Sequence, residues 1–156
     1  MIIRALTPED VIDCINAGRE MHEESVYASI PFSERSLLTL AQQCLDHPDY
    51  VCFVGYEGSE LVGMMVGAKS KYWFSDSASY AADLALYVRK DFRGSTCAIR
   101  LLQAFMRWAK SSGCLDIRCG VTTKINPEVA KRLYIDAFGF EDGGSLYTKR
   151  ISPLTA

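Results

Sequence analysis

Apolar positions along the chain recur with two periods, every second residue in short stretches and every third or fourth in longer ones, which predict strands and helices respectively. "IIRALT", from Ile2 to Thr7, reads as an opening strand. Thr7 then caps a helix that starts at Pro8, carries Glu9 and Asp10 in its first turn and runs to about Met21. Ser33 caps a second helix with Leu37, Leu40, Ala41 and Cys44 on one face, stopped by His47-Pro48. "YVCFVGY" and "LVGMMVGAK" about the turn "EGSE" predict an antiparallel hairpin in the middle of a sheet. A polar loop, "YWFSDSASY", leads to a further strand, "AADLALYV". The clearest helical period lies between Cys97 and Ser112, where Ala98, Leu101, Leu102, Phe105, Met106 and Ala109 repeat at three and four residues before Gly113. "LDIRCGV" predicts another strand, and Asn126 caps a helix that opens on Pro127 and turns Val129, Ala130, Leu133, Tyr134 and Ala137 inward. "FGFED" and "SLYTKRI", around Gly143-Gly144, predict a closing hairpin.

A chain of 156 residues fits one domain over 1–156, without repeat, linker or low-complexity tract. The 49% hydrophobic and 23% charged residues are ordinary for a globular protein, and the net charge of −2 indicates no nucleic acid partner. Cys14, Cys44, Cys52, Cys97, Cys114 and Cys119 mostly fall in apolar, periodic segments, so buried free thiols in a reducing compartment are expected over disulfides. No C-x-x-C spacing occurs, and His22 and His47 stand apart from any cysteine pair, so no metal is expected. The N-terminus does not read as a signal peptide, and no apolar run is long enough to span a bilayer. A cytoplasmic protein is the expectation.

Between Val88 and Cys97 a strand feeds a helix through a bare turn. The first amides of such a helix have no partner in the chain and, with the helix dipole, favour a phosphate. Gly94, Ser95 and Ala98 keep the approach open, and the Arg93 guanidinium suits a phosphate. A plain tight connection with Ser95 or Thr96 as N-cap fits the same residues. Neither G-x-x-x-x-G-K-[ST] nor G-x-G-x-x-G occurs.

"LALYVRKDFRGSTCAIRLL" resembles the central motif of the GNAT superfamily of acyl-CoA-dependent N-acetyltransferases, a strand L-x-V followed by R/Q-x-x-G-x-G/A and a helix. Leu86 and Val88 fill the strand positions, Arg93 the first loop position and Ala98 the last. The element order is similar too. The resemblance implies an α/β (α+β) fold with a mixed, mostly antiparallel sheet of about seven strands, flanked by helices on both faces. It implies acetyl-CoA as acyl donor, with the backbone of Leu86, Tyr87 and Val88 along the pantetheine arm. The turn Arg93, Gly94, Ser95, Thr96, Cys97 and Ala98 would hold the pyrophosphate. Asn126 resembles an asparagine that meets the pantetheine, and Tyr134, in "AKRLYIDAFGF", a tyrosine that gives a proton to the leaving thiolate; a core tyrosine is the plain alternative.

The motif departs from the family in places. Thr96 stands where glycine is usual and Lys90 where proline is common. Asn126 lies one residue further from Tyr134 than usual, and one extra residue separates Tyr134 from Gly139-Phe140. Direct transfer to an amine also needs a base and a carbonyl donor, and a backbone amide near Val88 is expected as the donor, with a splay of the strands at Val88 and Leu115 making room. Asp83, unusual in an apolar strand, and Glu23 and Glu24, after the first helix with His22 and Ser25, are the candidate base and acceptor-binding residues; an exposed strand start for Asp83 and a solvated helix end for the others fit the same residues. Tyr72, Trp73 and Phe74 wall the cleft or serve as core or dimer contacts. The expected function is acetyl transfer to a small-molecule or peptide amine. A catalytically inactive module of the same fold, which binds coenzyme A or a partner for sensing or scaffolding, is the alternative. A homodimer through the closing hairpin is the default for a small enzyme.

Overall fold

Glycines set the depth of the sheet. The computed structural model describes residues 1–153. Its centre is a hairpin of β2 (Tyr50–Glu57) and β3 (Glu60–Lys71), antiparallel from Tyr50↔Ala68 to Glu57↔Glu60. β3 is buried without interruption from Leu61 to Gly67, because helices cover both its faces. On one face α1 (Val11–Glu24) and α2 (Glu34–Asp46) pack Ala17 and Ala41 against Val54 and Met64. On the other, α3 (Cys97–Ser111) packs Leu101, Leu102 and Phe105 against Val62 and Met65. It lies so close that a Cβ on Gly67 would meet the Phe105 ring at 2.2 Å. The helical period of the sequence is thus the buried face of α3.

β1 (Ile2–Ala5) pairs antiparallel with β2, and β4 (Ser79–Val88) antiparallel with β3. β5 (Asp116–Arg118) pairs parallel with β4, giving the order β1-β2-β3-β4-β5. Thr7 does not cap by its side chain: a 3₁₀ turn, Pro8–Asp10, precedes α1, and the buried Asp10 carboxylate accepts from Thr7 N at 2.8 Å and from Arg4 at 2.6 and 2.9 Å. The last helix starts as α4 (Pro127–Lys131) and widens into a π-helical stretch, Arg132–Ala137.

The expected seven strands are five among the described residues, and the closing hairpin does not form. A two-stranded hairpin is stable only against a sheet edge or a packed face. β5 is three residues long, and Leu146, Tyr147 and Ile151 are 67%, 90% and 90% exposed. The thiols of Cys14, Cys52 and Cys97 are buried and those of Cys44, Cys114 and Cys119 half-buried, all free. Among the described residues no helix is long and apolar enough to cross a membrane.

Candidate active site

β4 and β5 are paired only from Tyr80↔Asp116 to Ala82↔Arg118, and beyond that point they part. The expected splay at Val88 and Leu115 is therefore displaced: Leu115 donates its amide to Ser79 at the closed end, and the strands separate at Asp83. At that point Gly120 N donates to Asp83 Oδ1 at 3.2 Å, so a side chain takes the place of the ladder between the two segments. The wedge that results is a cleft of about 530 Å³. Asp83, Leu86, Tyr87 and Val88 form one wall, Arg93, Gly94, Ser95 and Ala98 one end, and Asn126 and Tyr134 the opposite wall. Most of the residues singled out in the sequence thus meet in one place, and the backbone of β4 from Asp83 to Val88 faces the cleft with no strand beside it.

At the end of the cleft the turn is bare. Gly94 has φ +85°, and a Cβ there would meet nothing within 4 Å. Ser95 Oγ accepts from Cys97 N at 3.3 Å, so the serine does cap the turn. The amides of Gly94, Thr96 and Ala98 make no hydrogen bond among the described residues. Thr96 is exposed, does not line the cleft, and with φ −78° has a conformation open to any residue, so its β-carbon raises no barrier. Cys97 is fully buried, its sulfur against Gly55 and Gly63. With its amide bonded to Ser95 Oγ as well, Cys97 offers a ligand neither its thiol nor a free amide, unlike the expectation for it.

Arg93 is engaged differently from the expected phosphate contact. Its Nε donates to Val88 O at 2.9 Å and its Nη2 to Glu24 at 2.8 and 3.1 Å. Tyr87 OH donates to the same carboxylate at 2.6 Å. Burial raises the Glu24 pKa, but the hydrogen bonds from Tyr87 and Arg93 outweigh it and leave it lowered. Glu24 is therefore a held anion that ties the end of α1 to β4 and the turn. It is not free for an acceptor, and the exposed Glu23 does not line the cleft. Tyr72, Trp73 and Phe74 stand outside the cleft, with Trp73 95% exposed.

Asp83 and Tyr134 are the titratable pair inside. Burial pushes the Asp83 carboxyl up to about 6, against the amide of Gly120, which pulls it down. Tyr134 is 8% exposed; burial, then the neighbouring Cys119 and Asp83, push its phenol above the ordinary value. Burial likewise raises the Cys119 thiol. Tyr134 sits in the π-helical stretch, whose wider turn absorbs the extra residue before Gly139-Phe140, and Phe140 N returns to Tyr134 O at 2.9 Å. Asn126 has φ +44°, a left-handed conformation that asparagine tolerates, and its side chain makes no hydrogen bond among the described residues. The sequence reading missed Cys119 beside Tyr134 and the bond from Val26 N to Thr123 O at 3.1 Å, which straps the α1–α2 loop across to the far wall. No residue pattern announces either, since both are made by chain segments far apart in sequence.

The sequence profile of the Acetyltransferase (GNAT) family matches residues 16–140. The chain belongs to that family. It shares the fold of an aminoglycoside acetyltransferase, AAC(6')-Iy, solved with the bisubstrate analogue CoA-S-monomethyl-acetylneamine: TM-score 0.76 and 15% identity over 97% of this chain and 98% of that one. AAC(6')-IG from Acinetobacter haemolyticus has TM-score 0.71 and 17% identity, covering 97% and 100%. A probable acetyltransferase has TM-score 0.75 and 20% identity, covering 99% and 100%. No curated protein sequence matches significantly. As a GNAT enzyme the chain uses acetyl-CoA as acyl donor.

Proposed function

We propose that this protein transfers an acetyl group from acetyl-CoA directly to the nitrogen of a small-molecule primary amine. The observation that carries the reading is the convergence, in one cleft, of a strand edge without a neighbour, a turn with unpartnered amides, and the Asp83–Tyr134 pair. The residues fit the donor: Leu86, Tyr87 and Val88 offer backbone groups to the pantetheine, the free amides of Gly94, Thr96 and Ala98 suit the pyrophosphate, and Asn126 offers a free side-chain amide. Acetyl-CoA supplies the activated acyl group; an N–C bond forms, the C–S bond breaks, and one proton passes from nitrogen to sulfur.

Asp83 takes the proton from the amine, directly or through water, since a carboxylate with a pKa near 6 is ionised at neutral pH and basic enough for the task. Tyr134, with its raised pKa, holds its proton at neutral pH and gives it to the departing sulfur, and the proton that Asp83 took from the nitrogen restores the phenol. No nucleophile is called for on the enzyme: Cys97 is buried beneath the turn, and burial raises its pKa to about 11. The aminoglycoside enzymes among the structural neighbours support a small amine over a protein acceptor. Six free thiols suit a reducing compartment.

A panel of amines, assayed for thiol release from acetyl-CoA, tests the reading. Tyr134→Phe is expected to lower kcat about a hundredfold with acetyl-CoA binding intact. Unchanged kcat would remove Tyr134 from the chemistry. A non-catalytic module of the same fold predicts acetyl-CoA binding with no thiol release for any amine.

A further inference from the structure

A second cavity, of about 280 Å³, lies between α1, α2 and the sheet. No Asp, Glu, Lys or Arg lines it. Its walls include Ile15, Phe32, Leu37 and Met64, and of the His22 ring Nε2 donates to Ile30 O at 2.8 Å. The cavity is half open to solvent, so a ligand can enter it. Met21, Leu84 and Ala85 line this cavity and the coenzyme cleft alike. The two spaces therefore adjoin at the β4 bulge, where Val66↔Ala85 and Gly67↔Asp83 leave Leu84 as the extra residue, 54% exposed. Asp83, the base of the proposed reaction, is the next residue along.

We infer that this cavity is the acceptor subsite, and that it takes the apolar body of a primary monoamine, an alkyl chain or a single aromatic ring, while the amine reaches Asp83. The inference rests on the acetyltransferase reading and narrows its acceptor. Charge decides against a polycation. Among the residues lining the two cavities Asp83 is the sole carboxylate; the nearby Glu24 is held by Tyr87 and Arg93, and Glu20 by Arg89 at 2.9 and 3.0 Å. Desolvating several ammonium groups beside one carboxylate and an apolar wall is unfavourable. Size agrees with the choice. An apolar cavity of about 150 Å³ holds benzene, so this one has room for roughly ten to twelve non-hydrogen atoms.

The test measures kcat/KM by thiol release for n-propylamine, n-butylamine, n-pentylamine and n-hexylamine, with an aminoglycoside and polylysine as polycations. Each added CH₂ is expected to raise kcat/KM about fourfold. Cys44→Met, which extends a half-buried lining side chain into the cavity, is expected to flatten that rise. n-Hexanol, which has the chain without the amine, is expected to compete with n-hexylamine in the unsubstituted enzyme, a readout that needs no variant to fold. Indifference to chain length, a preference for the polycations, no competition by hexanol, or a rise that Cys44→Met leaves intact each overturns the inference. Thiol release with the polycations alone leaves the transferase reading standing. Acetyl-CoA binding without transfer to any amine overturns both.

Discussion

Asp83 shows how one residue changes meaning between sequence and structure. In "AADLAL" it is a carboxylate in an apolar strand with no stated reason. In the fold it accepts from Gly120, stands where β4 and β5 part, and is pushed up to about 6 by burial. Two ionisations then govern kcat/KM on the acid side, that of Asp83 and that of the amine near pKa 10. Below pH 6 the logarithm of kcat/KM is expected to rise by about two per pH unit, and above it by about one, until the amine is free. Asp83→Asn is expected to leave a slope of one throughout, and a break near pH 6 that survives in this variant would exclude Asp83 as the base. The linkage to stability has its own sign. The folded carboxyl holds its proton up to about pH 6 and the unfolded one only to about 3.9, so ionisation between those values weakens the fold. Asp10 is the opposite case: its pKa is lowered, first by Arg4, so its stabilising effect is full above the unfolded value and is lost as pH falls below it. Glu24 and Arg93 were legible as charged residues near a site, but not as partners of each other, because 69 positions of sequence separate them.

At the scale of elements, the turn before α3 and the packing of α3 on the sheet are the two devices that make the site. Gly94→Ala places a side chain at φ +85°, which costs about 1 to 2 kcal/mol in an L-residue and alters the path of the neighbouring amides. Its expected signature is a smaller stabilisation by acetyl-CoA, read as the difference in Tm with and without ligand. An unchanged difference would mean that the turn does not hold the pyrophosphate. Gly67→Ala acts elsewhere, by overpacking: its Cβ meets Phe105 at 2.2 Å, and a loss of about 1 to 3 kcal/mol is expected in denaturant unfolding. The extra residue after Tyr134 is an irregularity in sequence and a π-helical turn in the structure. A period of 3.6 assumed along that helix hides such a turn, since one additional residue shifts the pattern without breaking it.

For the whole molecule, the reading predicts a ligand-linked fold. Acetyl-CoA at about 100 times its Kd is expected to add roughly 2.7 kcal/mol, a shift of about 5 to 11 °C in Tm for a domain of this size, whereas ATP at equal concentration should leave Tm nearly unchanged. Equal shifts from both would reduce the site to a phosphate binder without selectivity for the pantetheine arm.

Periodicity and turn chemistry determined much by themselves: the helical face of α3, the hairpin of β2 and β3 and the bare turn around Gly94. These are local signals, set by side chains three or four residues apart on a helix, two apart on a strand, or adjacent in a turn. The tertiary structure alone decided the rest. It parted β4 from β5 at Asp83, paired Glu24 with Arg93, left residues 141–153 without a strand partner, and opened an apolar cavity beside the cleft. Each of these depends on which distant segments meet, and on whether a buried charge or a short strand finds a partner there, and that is a property of contacts that no window of sequence contains.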